Sequence, residues 1–324
     1  MDKVTKFLGI DVSKDVFDVS DSNGKHYQFS NNTQGFAQLQ ELLDGQSQCV
    51  MEATACYHLS LATWLFTQGH AVSIVNPLSI KRFVQMRLRL AKTDKADAEM
   101  IRFYGEAEDP ILWKPPADYV AQASEINSTV TLLIRHRTAL KNKFQAVSHK
   151  PGRFSVVLRT IKAQIKSLDQ QIQKLESAIE NLIKENESSL FDRLCSIPGI
   201  GKKTAMFLIV ITNSFNNFEN SKQLSAYLGL APTVRRSGTS VRGKSRISKT
   251  GNKTIRNLLF MCSFTACKNN KACKELYERI VDKGKSKKLA LIAVANKLLK
   301  QSLAIAKSEM TYQEDYGLRV NNVA

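Results

Sequence analysis

Asp94 and Asp97 stand three residues apart in AKTDKADAEM (91–100), behind Lys92 and Lys95. On a helix that spacing puts both side chains on one face. A solvated surface helix accounts for such a segment. So does a pair of carboxylates aimed at one cation. Two more acids bear on the choice. Asp11 closes the apolar run FLGID, and Glu52 closes CVME. An acid at a strand end can open a turn, or it can be delivered to a site at the sheet's edge. Two acids from strand ends and two from one helix make a set of four. Carboxylate oxygens in that number suit Mg²⁺ or Mn²⁺. Two such ions about 3.5–4 Å apart can clamp an in-line displacement at a phosphodiester.

A second chemistry lies in RRSGTSVRGKSRISKTG (235–251). Ser237, Ser240, Ser245 and Ser248 are set among Arg235, Arg236, Arg242, Lys244, Arg246 and Lys249. The plain reading is a phosphate-gripping loop whose hydroxyls donate hydrogen bonds. No acidic residue occurs from Asn220 to Lys274. Upstream, SIPGIGKKTA (196–205) reads as helix, tight turn, helix. Gly199 and Gly201 permit close backbone approach, and Lys202 and Lys203 open a helix whose N-terminus suits a phosphate. A plain helical hairpin is the alternative.

The elements that position these groups follow from patterning. Residues 5–12, 15–21 and 25–31 read as strands, with Gly24 in the second turn. A helix over 35–45, a strand over 47–54, a helix over 59–69 and a strand over 70–77 follow. Residues 78–106 read as helical, with a break near 91–93. The order β-β-β-α-β-α-β-α predicts an α/β layer with an initial meander. EDPILWKPPADY carries three prolines and marks a linker over 108–120. Residues 121–187 read as two helices broken at Pro151-Gly152. The second carries Phe154, Leu158, Ile161, Ile165, Leu168, Ile172, Leu175, Ile179 and Leu182 at alternating spacings of four and three. That heptad stripe fits either a coiled-coil hairpin or a seam with another subunit. A mostly helical domain is expected over 188–310, then a tail over 311–324.

The chain of 324 residues has 43% hydrophobic residues, enough for more than one core, and a net charge of +18. That charge predicts a polyanionic partner, nucleic acid before an anionic membrane. No run of about 18 apolar residues predicts a membrane span. The N-terminus lacks the apolar block of a signal peptide, so a cytoplasmic protein is expected. The six cysteines form no C-x-x-C pair and read as reduced, mostly buried thiols.

The ordered set GIDVSKDVFDV, MEATACY, VNP, KTDKADAEMI, SIPGIGKKTA and YLGLAPTVRRSGTSVRGKSRISKTGN resembles the DEDD transposases of the "one-ten" insertion-sequence family. The pilin-gene inversion recombinase is a relative. The likeness runs over nearly the whole chain. It implies a RuvC-like, ribonuclease H-like catalytic domain over 1–107, with Asp11, Glu52, Asp94 and Asp97 holding Mg²⁺ or Mn²⁺. It implies Ser237 as the nucleophile that becomes linked to a DNA strand end, with Ser240 the second choice by spacing. It also implies donor and target DNA and a structured bridge RNA as guide. A homodimer is expected from the stripe of the long helix, with a tetramer at synapsis left open. One departure stands out: the family commonly has E-A-T-G-x-Y, and this chain has Ala55 and Cys56. The competing reading is a metal-dependent, structure-selective nuclease of the junction-resolvase kind, with the same acids and no serine chemistry. A non-catalytic nucleic-acid binder of the same fold is a third.

Overall fold

The computed structural model describes residues 6–88, 93–233, 236–237, 241–242, 246–248 and 250–314; of 236–237 and 241–242 the backbone alone is described. The chain divides into two compact units, meeting in sequence at Pro115 and Pro116.

The first unit contains β1 (Lys6–Val12), β2 (Val16–Ser20), β3 (His26–Ser30), α1 (Thr33–Gln40), β4 (Ser47–Glu52), α2 (His58–Thr67), β5 (Ala71–Val75), α3 (Pro77–Met86) and α4 (Asp94–Glu108). Its sheet has the order β3-β2-β1-β4-β5. The first three strands pair antiparallel, and β1, β4 and β5 run parallel. This mixed sheet is compatible with a RuvC-like DEDD transposase fold. Strand periodicity sorts the two faces. Leu8, Ile10, Val12, Cys49, Met51 and Val72 form one core with Leu39, Leu61 and Leu65 of the flanking helices. Val50, Val75, Ile80 and Ile101 form the other. The segment after α4 runs along the sheet edge rather than away from it. The Trp113 N–H donates to the Val72 carbonyl at 2.7 Å, and Ser73 Oγ donates to the Pro110 carbonyl at 2.9 Å.

The second unit begins with α5 (Asp118–Ser148) and α6 (Ser155–Cys195), an antiparallel pair. α6 leaves helical geometry at Glu187, whose carboxylate accepts from Tyr119 Oη at 2.8 Å. Ile161, Ile172 and Ile179 of the stripe are buried, while Leu158, Ile165, Leu168 and Leu175 are only half-buried. Phe154 is outside this seam: it precedes the helix and lies against Gly152.

Next come α7 (Lys202–Thr212), α8 (Ser221–Tyr227), β6 (Pro232–Thr233), β7 (Arg236–Ser237), β8 (Val241–Arg242), β9 (Arg246–Ile247), α9 (Lys253–Asn269), α10 (Lys271–Asp282) and α11 (Lys287–Ser308). Helix α11 is long and apolar enough to cross a membrane by length and composition. Here Val294, Leu298, Leu299 and Leu303 bury it in the core of this unit. The cysteines are all free, but only Cys49 and Cys273 are fully buried, fewer than composition suggested. Burial pushes both thiols up to about 12.

Candidate active site

Asp11 and Glu52 follow the last register pair of two adjacent parallel strands, Ile10 and Met51. Alternation along β1 puts Asp11 on the face of Phe7 and Gly9; along β4 it puts Glu52 on the face of Val50. Helix α4 covers that face. Both strand-end acids therefore point to the side from which Asp94 and Asp97 arrive.

How close α4 comes is set by two glycines. A Cβ on Gly9 would lie 2.1 Å from the Ala98 carbonyl oxygen and 2.2 Å from the Arg102 nitrogen. A Cβ on Gly105 would meet the Phe7 ring and the Val50 methyl, both at 2.9 Å. Strand and helix thus interlock through missing side chains, one on each. The sequence reading passed over both residues. Gly9→Ala is expected to lift α4 from β1, destabilising the unit by about 1–3 kcal/mol. It should also depress cleavage by separating Asp97 from Asp11. Denaturant midpoints check the first effect, with Gly45→Ala as control, since a Cβ at Gly45 meets nothing within 4 Å.

Thr93 caps α4, its hydroxyl accepting from the Ala96 N–H at 3.2 Å. Asp94 and Asp97 occupy the first turn, where negative charge also suits the helix dipole. Asp94 is exposed, and Asp11, Glu52 and Asp97 are half-buried. Burial first, then the charges of Asp97, Glu52, Asp94 and Asp18, push the Asp11 carboxyl up to about 6. Asp18 is the cross-strand partner of Asp11 and is buried. His26 Nε2 lies 2.7 Å from its Oδ1, and Gln28 Nε2 donates to the same oxygen at 3.2 Å. Among the described residues, no three acids stand in ready ligating geometry. The candidate donor set nevertheless fits a hard divalent cation: all four groups are carboxylates, and the burial and repulsion felt at Asp11 are what such an ion would offset.

The turn beyond Glu52 carries the departure from the family pattern. Ala55 has φ +48, the left-handed region that glycine adopts freely. Thr54 Oγ1 donates to Glu52 at 3.3 Å within this turn. Ala55→Gly is expected to raise stability by about 1 kcal/mol, read as a higher denaturant midpoint with unchanged slope.

The serine segment is an arm of two short ladders. Pro232 and Thr233 pair with Ile247 and Arg246, and Arg236 and Ser237 pair with Arg242 and Val241. Ser237 is thus paired with Val241 along the backbone. The arm's root is held where Gly229 and Gly251 let the end of α8 meet Thr250: a Cβ on Gly251 would lie 2.1 Å from the Tyr227 carbonyl oxygen. Arg256 Nη1 donates to the Leu228 carbonyl at 3.1 Å across the same junction. Arg246 is exposed. Arg235, Ser240, Lys244 and Lys249, with Lys92 and the tail from residue 315, lie outside the described residues.

The SIPGIG turn looks different from its sequence reading. Gly199 has φ +108, and its missing side chain admits Ala266 of α9: a Cβ on Gly199 would lie 2.7 Å from the Ala266 Cβ. That is close packing within the unit. Lys202 donates to Glu180 at 3.3 Å, and Lys203 pairs with Glu176. Both lysines therefore face acids of α6. Gly201 precedes α7 in extended geometry with open space around it.

Comparison with known proteins now bears on this arrangement. A sequence model described as "Transposase IS116/IS110/IS902 family" matches residues 191–278, and a DEDD transposase model matches residues 8–148. The chain is 32% identical to the pilin gene-inverting protein of Moraxella lacunata over 326 residues, covering 95% of this chain and 98% of that protein. The counterpart from Moraxella bovis matches at the same identity and coverage. The transposase for insertion sequence element IS1111A of Coxiella burnetii is 25% identical, with 97% and 92% of the two chains covered. Matches over nearly its whole length, in the unit that carries the acids and in the unit that carries the serine, show that this chain belongs to the IS116/IS110/IS902 family of transposases.

Proposed function

We propose that this transposase cuts and rejoins DNA strands with two sets of its own groups: Asp11, Glu52, Asp94 and Asp97 as divalent-cation ligands, and Ser237 as nucleophile. The observation that carries the reading is geometric: Asp11 and Glu52 end two adjacent parallel strands on the face that α4 covers, and Asp94 and Asp97 stand in the first turn of α4. Burial, followed by the charges of Asp97, Glu52 and Asp94, raises the Asp11 carboxyl, in keeping with acids gathered on one face. Closing them on Mg²⁺ or Mn²⁺ takes side-chain rotation at exposed Asp94 and half-buried Glu52. When bound there, a divalent cation would supply charge stabilisation at phosphoryl oxygens, with Asp11, Glu52, Asp94 and Asp97 as the residues that would hold it.

On the serine side, the Ser237 hydroxyl forms a bond to phosphorus as the bond to the leaving nucleoside oxygen breaks. The hydroxyl proton departs, and the leaving oxygen takes one up. Arg236, Arg242 and Arg246 share the arm and oppose the charge that develops on the phosphorane. The dimer or tetramer and the bridge RNA belong to the same reading. The half-covered apolar stripe of α6 supports the first, and the net charge of +18 supports a nucleic-acid partner for the second. Incubation with labelled element-end DNA, with Mg²⁺ or with chelator, followed by a denaturing gel, tests the chemistry. A metal-dependent protein–DNA adduct is expected. Metal-dependent cleavage with no adduct would favour a nuclease that uses water directly.

A further inference from the structure

Charge is distributed unevenly along the α5–α6 hairpin. From Ile126 to Leu168 the chain has nine Lys or Arg and no Asp or Glu. From Asp169 to Asp192 it has six acids and two lysines. Folding the hairpin brings the basic halves of both helices together at the tip and leaves the acids near the globular core. Arg135, Lys141, Lys143, Lys150, Arg153, Arg159, Lys162 and Lys166 are all exposed. Among the described residues the one acid that reaches this group is Asp169, at its edge, 2.7 Å from Arg137. Two acids of the base hold lysines of the same unit: Glu180 holds Lys184 and Lys202, and Glu176 holds Lys203.

We propose that this tip is a second DNA-docking surface, gripping duplex by its phosphates well away from the serine arm. The partner follows from charge and shape. Lysines and arginines spread over about 20 Å of two parallel rods match a run of phosphates rather than a point ligand. The tip has exposed cations on both helices, which suit phosphates rather than base edges, so the contact is blind to sequence. A second copy of the chain is the rival occupant, since the half-covered stripe of α6 runs into the same segment, and sedimentation distinguishes the two. DNA is chosen over RNA because it is the substrate on which the family's transposase activity acts. From Ser155 to Glu187, α6 spans about 48 Å. A tip at that distance from the core reaches a flank on the order of 14 base pairs beyond whatever the core contacts, at about 3.4 Å per pair.

The inference rests on the transposase reading but not on the serine chemistry, and the test separates them. Affinity of the full-length protein for a duplex of about 40 base pairs is measured across salt concentrations. The wild type is compared with two matched pairs on α6: Arg159→Gln with Lys162→Gln at the tip, and Lys174→Gln with Lys184→Gln at the base. Each lost phosphate contact lowers the log–log salt slope by about 0.9. The tip pair should lower it by about 1–2, and adding Lys141→Gln and Lys143→Gln should weaken binding at least tenfold. The base pair should leave both unchanged. Circular dichroism melting checks that the variants fold, and adduct formation at saturating DNA should survive in all of them. An unchanged slope in the four-site tip variant overturns the proposal. So does a loss confined to RNA duplex, or a shift in sedimentation at unaltered DNA affinity, which would make the tip a subunit contact. Absence of any adduct in the wild type would count against the serine mechanism and leave the slope comparison readable.

Discussion

Ser237→Ala is expected to abolish the covalent protein–DNA species and to lower strand transfer by more than about 1000-fold, while DNA affinity and the melting temperature stay near wild type. The reason is chemical. A serine hydroxyl is a weak nucleophile with no equal substitute once removed, and what remains is water held near a cationic arm. Stability should be insensitive because Ser237 pairs with Val241 through its backbone, at the far end of a short ladder from the arm's root. Alanine keeps that pairing. Ser240→Ala is the necessary companion, since it stands three residues on in the same S-G-T-S stretch. Loss of the adduct in Ser237→Ala alone supports the assignment. Loss in Ser240→Ala alone moves the nucleophile to that residue. Full strand transfer in Ser237→Ala, with no adduct in any variant, would remove serine from the mechanism and leave the acids to act on water.

Much of the first unit was legible because its signals are local. Apolar runs that end in one acid, as FLGID and CVME do, mark strands that deliver a carboxylate at their tips. The spacing of Asp94 and Asp97 fixes a shared helical face without reference to anything else. What escaped was everything decided at long range. Gly9 read as part of an apolar strand; only the path of α4, about ninety residues later, turns it into the residue that sets how near Asp97 comes. Lys202 and Lys203 read as cations at a helix N-terminus, and the acids they also pair with, more than twenty residues upstream on α6, could not be read from that local segment. Gly199 read as a device for approaching a phosphate, but Ala266 fills that space. The serine stretch, rich in glycine and serine, gave no strand signal. Its ladders are two residues each, too short for alternation to show, and their pairing is fixed by the root at Gly229 and Gly251. Phe154 continued the heptad spacing in sequence but falls before the first turn of α6.

Asp97→Asn is expected to eliminate cleavage with little loss of fold, and the comparison with Asp11→Asn should expose the electrostatics of the site. Outer partners of metal ligands alone are worth about 10–100-fold, so losing a ligand should cost at least that. The Asp97 charge is the largest single charge acting on Asp11, after burial itself. Removing it should bring the Asp11 carboxyl down toward its ordinary 3.8. The sign for stability follows. In the metal-free protein Asp11 titrates near 6, above its unfolded value, so the folded state holds a proton that the unfolded state releases earlier. That contribution is fully present below about pH 4 and is lost as pH rises through about 6. The metal-free wild type should therefore lose stability across that window, and Asp97→Asn should lose less. A divalent cation competes with the same proton. Stabilisation by Mg²⁺, which reaches about 2.7 kcal/mol at a hundred times the dissociation constant, should be nearly absent at pH 5 and full above about pH 7. Thermal shifts with and without Mg²⁺ across this range test the argument without any turnover. If the shift is independent of pH, or if Asp97→Asn retains it together with wild-type cleavage, the face between β1 and α4 is not where the cation binds. The two aspartates would then be what their place in the first turn of α4 already allows, anions that suit the helix dipole.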